Sequence, residues 1–112
     1  MNKTIWLLWF QGWENAPYLQ REVALSWENN NPGWKIQYLD MNNLNDFIKY
    51  IDYMYDTNKQ ISLQAKSDIV RLSLLKNHGG VWADSTMLCM QPLDTVMMKD
   101  FNQVLFIHHH MQ

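Results

Sequence analysis

One cysteine, Cys89, in a chain of 112 residues excludes an intramolecular disulfide and a zinc site built from thiolates. It fits a reducing compartment. Basic runs are missing, and the formal net charge is −2, so the electrostatic footprint of a nucleic-acid binder is absent. The longest apolar run, Ile5-Trp6-Leu7-Leu8-Trp9-Phe10, is far too short to span a bilayer. Lys3 precedes it as in a signal peptide, but no small-residue cleavage site follows, so the expectation is a cytoplasmic location and no transmembrane segment. With three prolines and four glycines, the chain shows no low-complexity tract, internal repeat or linker. One domain over 1–112 is expected. What is present is a globular composition, 47% hydrophobic and 18% charged, with six tryptophans, a residue used both in cores and at binding surfaces.

Hydrophobic patterning divides the chain into alternating strands and helices. Thr4 to Phe10 is continuously apolar, as in a strand buried on both faces. Pro17 marks a helix entry, and Leu19, Val23 and Trp27 recur at spacings of four to make one apolar face. That helix must stop near Asn29-Asn30-Asn31, because Pro32-Gly33 follows. Trp34, Ile36 and Tyr38 alternate with Lys35 and Gln37 in a second strand ending at Asp40. Asn43 is placed to cap a helix with the stripe Leu44, Phe47, Ile48, Ile51 and Tyr55. Ser62 is placed to cap another, over Leu63 to about Asn77, which Gly79 terminates in the left-handed conformation. Val81 to Met90 reads as a third strand. Pro92-Leu93-Asp94 opens a turn or short helix, and Val104 to Ile107 reads as a fourth strand. His108-His109-His110 is open to three readings: pleat positions, a metal-binding patch or an appended tag. The order β-α-β-α-α-β-β predicts an α/β fold with a mostly parallel sheet, where ligands bind outside the carboxyl ends of the strands.

One stretch carries most of the polar chemistry: "SLQAKSDIVRLSLLKNHGGVWADST", residues 62–86. Asp68 and Arg71 are three apart on a helix and share a face. In a strand continued through Asp84, Ser85 and Thr86, Asp84 and Thr86 point one way and Ser85 the other. Two oxygen-bearing side chains so placed suit Mg²⁺ or Mn²⁺ held jointly with the oxygens of a diphosphate. Singly, each feature has an ordinary structural explanation: an exposed ion pair, a helix stop, a turn. The whole order is what is specific.

That order, "SDIVRLSLLKNHGGVWADST", resembles the "SDxxRxxxLxxxGGxxxDxD" pattern of the sugar-transfer region in glycosyltransferase family 32 and the related bacterial capsular polysaccharide synthesis proteins. The clostridial glucosylating toxins share it more distantly. "IWLLWFQGWENAPYL" and "SWENNNPGWKIQYLD" resemble the opening segments of the same families, so the likeness runs from about Thr4 to Leu93. The resemblance implies a Rossmann-like GT-A fold for nucleotide-diphosphate sugars, left incomplete in this short chain. It implies a hexosyltransferase that retains anomeric configuration in capsular or other surface polysaccharide synthesis. Carried over by position, Asp84 would meet the ribose and a Mn²⁺ or Mg²⁺ ion, with Thr86 in the place of the second acid. Asp68 would bind hydroxyls of the donor sugar or ribose, and Arg71 the sugar or its phosphates. Trp9 would lie against the base, its rival reading being a core position. Ser67, Gly80 and Ser85 would shape the donor pocket. Trp6 and Trp82 read as core, Trp13 as lining the mouth of the site, and His78 as a polar helix end.

The implied partners are a nucleotide-diphosphate sugar donor and a glycan or lipid-linked acceptor, with peripheral membrane association and no nucleic acid. Two departures stand out. Thr86 supplies a hydroxyl where the pattern has a second carboxylate, which weakens the cation site. The chain also stops soon after the motif, before the segments that supply acceptor-binding residues in the family. The alternatives are a non-catalytic nucleotide- or sugar-binding module, a truncated inactive fragment of the same fold, and a small α/β interaction protein whose Asp68–Arg71 pair is structural.

Overall fold

The computed structural model describes residues 2–49, 54, 56 and 60–95. Three strands, β1 (Thr4–Leu8), β2 (Lys35–Leu39) and β3 (Val81–Ala83), form a parallel sheet in the order β2-β1-β3. β1 is central: Ile5 is opposite both Ile36 and Val81, and Leu7 is opposite both Tyr38 and Ala83. All five β1 residues are buried, which is why the run reads as apolar throughout rather than alternating. The α/β expectation with a parallel sheet holds.

Strand alternation distributes the core to two faces. Ile5, Leu7, Val81 and Ala83 pack with Val23, Ala24 and Trp27 of helix α1 (Tyr18–Asn30). Trp6, Leu8 and Trp82 pack on the other face with Val70 and Leu74 of helix α2 (Leu63–Asn77), together with Leu39, Leu44, Ile48 and Met54. α1 connects β1 to β2, and α2 precedes β3 on the opposite edge. Right-handed crossovers in opposite directions place their helices on opposite faces, as here.

Local chemistry explains most boundaries. Ser62 caps α2 by accepting from the Ala65 N–H at 3.1 Å. Gly79, at φ +75°, ends it, its N–H shared between the Leu74 and Leu75 carbonyls. α1 begins after Pro17 and stops at Asn30. Leu19 does not join its buried stripe and is 71% exposed. The buried residues Val23, Ala24 and Trp27 centre the stripe roughly 90° of helix rotation away from Leu19.

Two further expectations are corrected. Asn43 caps no helix: its Oδ1 accepts from the Asp40 N–H at 2.9 Å and its Nδ2 donates to the Tyr38 carbonyl at 2.8 Å, closing a turn before the single 3₁₀ turn Leu44–Asp46. β3 ends at Ala83 rather than Met90, because the backbone beyond it is claimed by α1. Trp27 Nε1 donates to the Met87 carbonyl at 2.8 Å, Ser26 Oγ accepts from the Cys89 N–H at 2.8 Å, and Asn30 Nδ2 donates to the Cys89 carbonyl at 3.0 Å. Buried Asn31 accepts from the Leu93 N–H at 2.7 Å, and a helical turn then begins at Leu93. Ile51, Tyr55, the fourth strand and the His108-His109-His110 tract lie outside the described residues.

Candidate donor-binding cleft

In a sheet ordered β2-β1-β3, the chain leaves β1 toward one edge and returns to the other. The carboxyl ends of β1 and β3 therefore flank a topological switch point, where open α/β sheets bind ligands. A cleft of about 210 Å³ opens there. Leu8 from β1 and Trp82 and Ala83 from β3 give it an apolar floor. Gln64, Ser67 and Arg71 of α2 form one wall, and Asp84, Ser85 and Thr86 form the other. A larger hollow of about 510 Å³ lies against the last turn of α2, between Asn77, His78 and the segment Asn45 to Lys49. It lies away from the switch point and contains none of the motif carboxylates.

The wall after β3 is a turn, not a strand. Asp84 Oδ1 accepts from the Thr86 N–H at 2.8 Å and from the Thr86 hydroxyl at 2.6 Å, and the Asp84 carbonyl accepts from the Met87 N–H at 3.2 Å. This Asx turn, rather than strand alternation, brings Asp84 and Thr86 together. Oδ2 of Asp84 has no hydrogen-bond partner among the described residues, and the Thr86 hydroxyl, having donated its proton, keeps its lone pairs.

The helix wall is a linked row. Arg71 Nη1 lies 3.4 Å from Asp68 Oδ1, and Gln64 Nε2 donates to the same oxygen at 3.3 Å. The side chain of Arg71 is 14% exposed and that of Asp68 is 38% exposed. An ion pair of this kind adds little stability. Its consequence here is orientation, since Asp68 holds the guanidinium that faces the cleft. Asp68 itself is not in the lining and meets the cleft through these two partners.

The other anticipated residues fall in distinct places. Ser67 and Ser85 line the cleft. Trp9 follows β1 directly, its N–H donating to the Leu39 carbonyl at 3.0 Å, and it is half-buried with its ring centroid 6.3 Å from that of Trp13. Trp9 and Trp13 thus stand on the β1–β2 side of the crevice, outside its lining. Trp13 is fixed there by donating to the Leu7 carbonyl at 3.2 Å and by edge contact with Tyr38. Gly80 is not a pocket wall. It sits at the amino end of β3, about 13 Å of extended chain from Asp84. Its φ is +90°, and a Cβ there would lie 2.6 Å from the Thr4 carbonyl oxygen and 2.9 Å from Trp6 Nε1. Trp6 and Trp82 are buried, and Trp6 Nε1 donates to the Gly79 carbonyl at 2.8 Å. His78 is the last cap of α2, its Nε2 donating to the Phe47 carbonyl at 3.0 Å.

Gln64 and Leu8 were not anticipated from the sequence. The spacing of Gln64, Ser67, Asp68 and Arg71 on one helix face was the available signal. The clamp of α1 side chains on residues 87–93 had none, because its partners are about sixty residues apart, as in the Trp27–Met87 bond.

Two ionisable groups near these elements are shifted. Burial, reinforced by the hydrogen bond and the negative charge of Glu28, pushes the Tyr38 hydroxyl up to about 12. Burial also raises the Cys89 thiol, opposed in part by hydrogen bonds to Asn31 and Gln91. Among the described residues no helix is long and apolar enough to cross a membrane.

The sequence is 30% identical over 106 residues to Glycosyltransferase afumC of Aspergillus fumigatus, a match covering 84% of this chain and 27% of that protein. It is 30% identical over 92 residues to a protein of Acanthamoeba polyphaga mimivirus named as an uncharacterized glycosyltransferase, covering 77% of this chain and 36% of the relative. The matches thus span about a third of the length of these curated relatives. No solved structure gives a significant match. The sequence profile described as "Capsular polysaccharide synthesis protein" matches residues 1–112, and the chain belongs to that family.

Proposed function

We propose that the cleft binds the diphosphate and the transferred sugar of a nucleotide-diphosphate sugar, and that the chain is the donor-binding part of a GT-A-type glycosyltransferase. The observation that carries this reading is the convergence of Arg71 and Asp84, from different elements, on one crevice at the switch point of the sheet. Both named relatives are glycosyltransferases, which supports the same reading. A volume of about 210 Å³ is below the roughly 300–1,000 Å³ of sites that enclose a whole drug-sized ligand. It suits the diphosphate and one ring, with the nucleoside extending toward Trp9.

In this reading Arg71 offers a planar fork to paired phosphate oxygens, and Asp68 fixes its direction. Ser67 and Ser85 offer hydroxyls along the two walls. The oxygen donors of Asp84 and Thr86 fit a hard divalent cation such as Mn²⁺ or Mg²⁺. Among the described residues no group of three or more His, Cys, Asp or Glu side chains could hold a metal ion, so the donor's own oxygens would complete the shell. When bound, such an ion neutralises charge on the departing diphosphate. The protein's own contribution is to hold the anomeric carbon beside that charge while the apolar floor of Leu8 and Ala83 excludes water. Hexose transfer with retention to a glycan or lipid-linked acceptor, at a cytoplasmic membrane surface, completes the proposal. The capsular polysaccharide family supports the product class.

Calorimetric titration of UDP and GDP, with and without Mn²⁺, tests it. Binding of one nucleotide that weakens at least about tenfold in Asp84→Asn is expected, since a charged contact contributes about 1.5–3 kcal/mol. Absence of binding by either nucleotide would refute it.

A further inference from the structure

The cleft wall contains one polar side chain to which no role has yet been given. Gln64 lies on the same face of α2 as Ser67 and Arg71, about 10 Å of helix from Arg71. We infer that Gln64 contacts a hydroxyl of the transferred sugar and so helps set which sugar the chain accepts; this rests on the donor-binding reading above.

Three observations carry it. First, Gln64 lines the cleft, whereas its partner Asp68 does not. Second, its amide is oriented. A carboxylate only accepts hydrogen bonds, so the 3.3 Å contact with Asp68 Oδ1 is made by Nε2. That leaves the Oε1 lone pairs and the second Nε2 hydrogen for a ligand. A sugar hydroxyl donates and accepts at one atom, which suits a carboxamide presenting both functions. Third, charge is segregated along the wall. The guanidinium stands at one end and the neutral amide at the other, with Ser67 between them. Phosphate oxygens belong at the charged end, so a neutral polyol belongs at Gln64. Trp9 and Trp13 stand on the β1–β2 side of the crevice, so the nucleoside is placed there and the sugar ring toward the first turns of α2.

Because Asp68 Oδ1 also faces Arg71, Gln64 acts on the donor in two ways. It touches the sugar, and it shares the carboxylate that aims the guanidinium. The two effects separate experimentally, because only the first depends on the sugar being present.

The test compares nucleoside diphosphates with their sugar conjugates on the 112-residue chain. UDP, UDP-glucose, UDP-galactose, GDP and GDP-mannose are titrated calorimetrically with Mn²⁺ into the parent, Gln64→Leu and Gln64→Ala. Gln64 is exposed in the first turn of α2, and its side chain joins no core cluster, so both variants should keep the parent's melting temperature. The expected result is that in both variants the preferred conjugate loses about 2- to 10-fold more affinity than the free nucleoside diphosphate, the range of one neutral hydrogen bond. Equal weakening of conjugate and free nucleotide, or no change in either, would overturn the sugar contact while leaving donor binding intact. Absence of binding to the parent would overturn the donor reading and this inference together.

Discussion

Replacing each glycine of the Gly79-Gly80 pair by alanine should have very different costs. Both residues have positive φ, +75° and +90°, where an L side chain costs about 1–2 kcal/mol. Both substitutions also restrict the unfolded chain equally, a gain of about 0.4–1 kcal/mol that cancels in the comparison. The difference lies in space. A Cβ on Gly79 would meet nothing closer than Asn2 Cβ at 3.8 Å. On Gly80 it would lie 2.6 Å from the Thr4 backbone oxygen, inside β1, and 2.9 Å from the indole nitrogen of Trp6. Backbone of a central strand cannot yield as a flexible side chain would. Overpacking of this kind costs about 1–3 kcal/mol. Displacing Trp6 from the Gly79 carbonyl adds about 1 kcal/mol. Gly80→Ala should therefore be less stable than Gly79→Ala by at least about 2 kcal/mol, read by urea denaturation at equal m-value. Equal losses in the two variants would refute the close approach of Gly80 to β1, and with it the assignment of this glycine to sheet packing rather than to the cleft.

Other outcomes follow from the same geometry. Thr86→Val removes the 2.6 Å bond into Asp84 Oδ1 and should weaken nucleoside diphosphate binding several-fold in calorimetry, whereas Thr86→Ser, which keeps the hydroxyl, should restore it. Trp27→Phe leaves the Met87 carbonyl without its donor and should cost about 1–3 kcal/mol in denaturant titration, with faster amide exchange across residues 87–89. For Tyr38, the folded-state pKa of about 12 lies above the ordinary value of 10.0, so the fold favours the protonated hydroxyl. Its contribution to stability is complete below pH 10 and is lost as pH rises toward 12; Tyr38→Phe should flatten this part of the stability profile, and phenolate absorbance should report one late-titrating tyrosine.

The parts of the fold legible in the sequence were those governed by local rules. β1 is an unbroken apolar run because it is central and covered on both faces. α2 has a serine cap and a terminal glycine, and both ends fell where those residues stand. The alternation of Ile36 and Tyr38 marked β2. The sequence pattern overextends β3, because Met87, Leu88, Cys89 and Met90 continue an apolar run while the backbone hydrogen bonds that decide a ladder go instead to Ser26, Trp27 and Asn30. No local rule anticipates a partner so distant. Strand alternation and the Asx turn both bring Asp84 and Thr86 together, but only the turn, a local preference of Asp, is present. Gly80 was grouped with the site by its place in a motif, whereas its left-handed conformation and the backbone opposite it assign it to packing.

The central claim is that Arg71 and Asp84 face a single diphosphate. Backbone amide shifts measured during titration with UDP or GDP and Mg²⁺ test it most directly. The largest changes are expected together at Ser67 to Arg71 of α2 and at Ala83 to Thr86 after β3, with the midpoint moved to at least about tenfold higher ligand concentration in Asp84→Asn. Shifts confined to the hollow between His78 and Asn45 to Lys49, with the cleft residues unmoved, would contradict it.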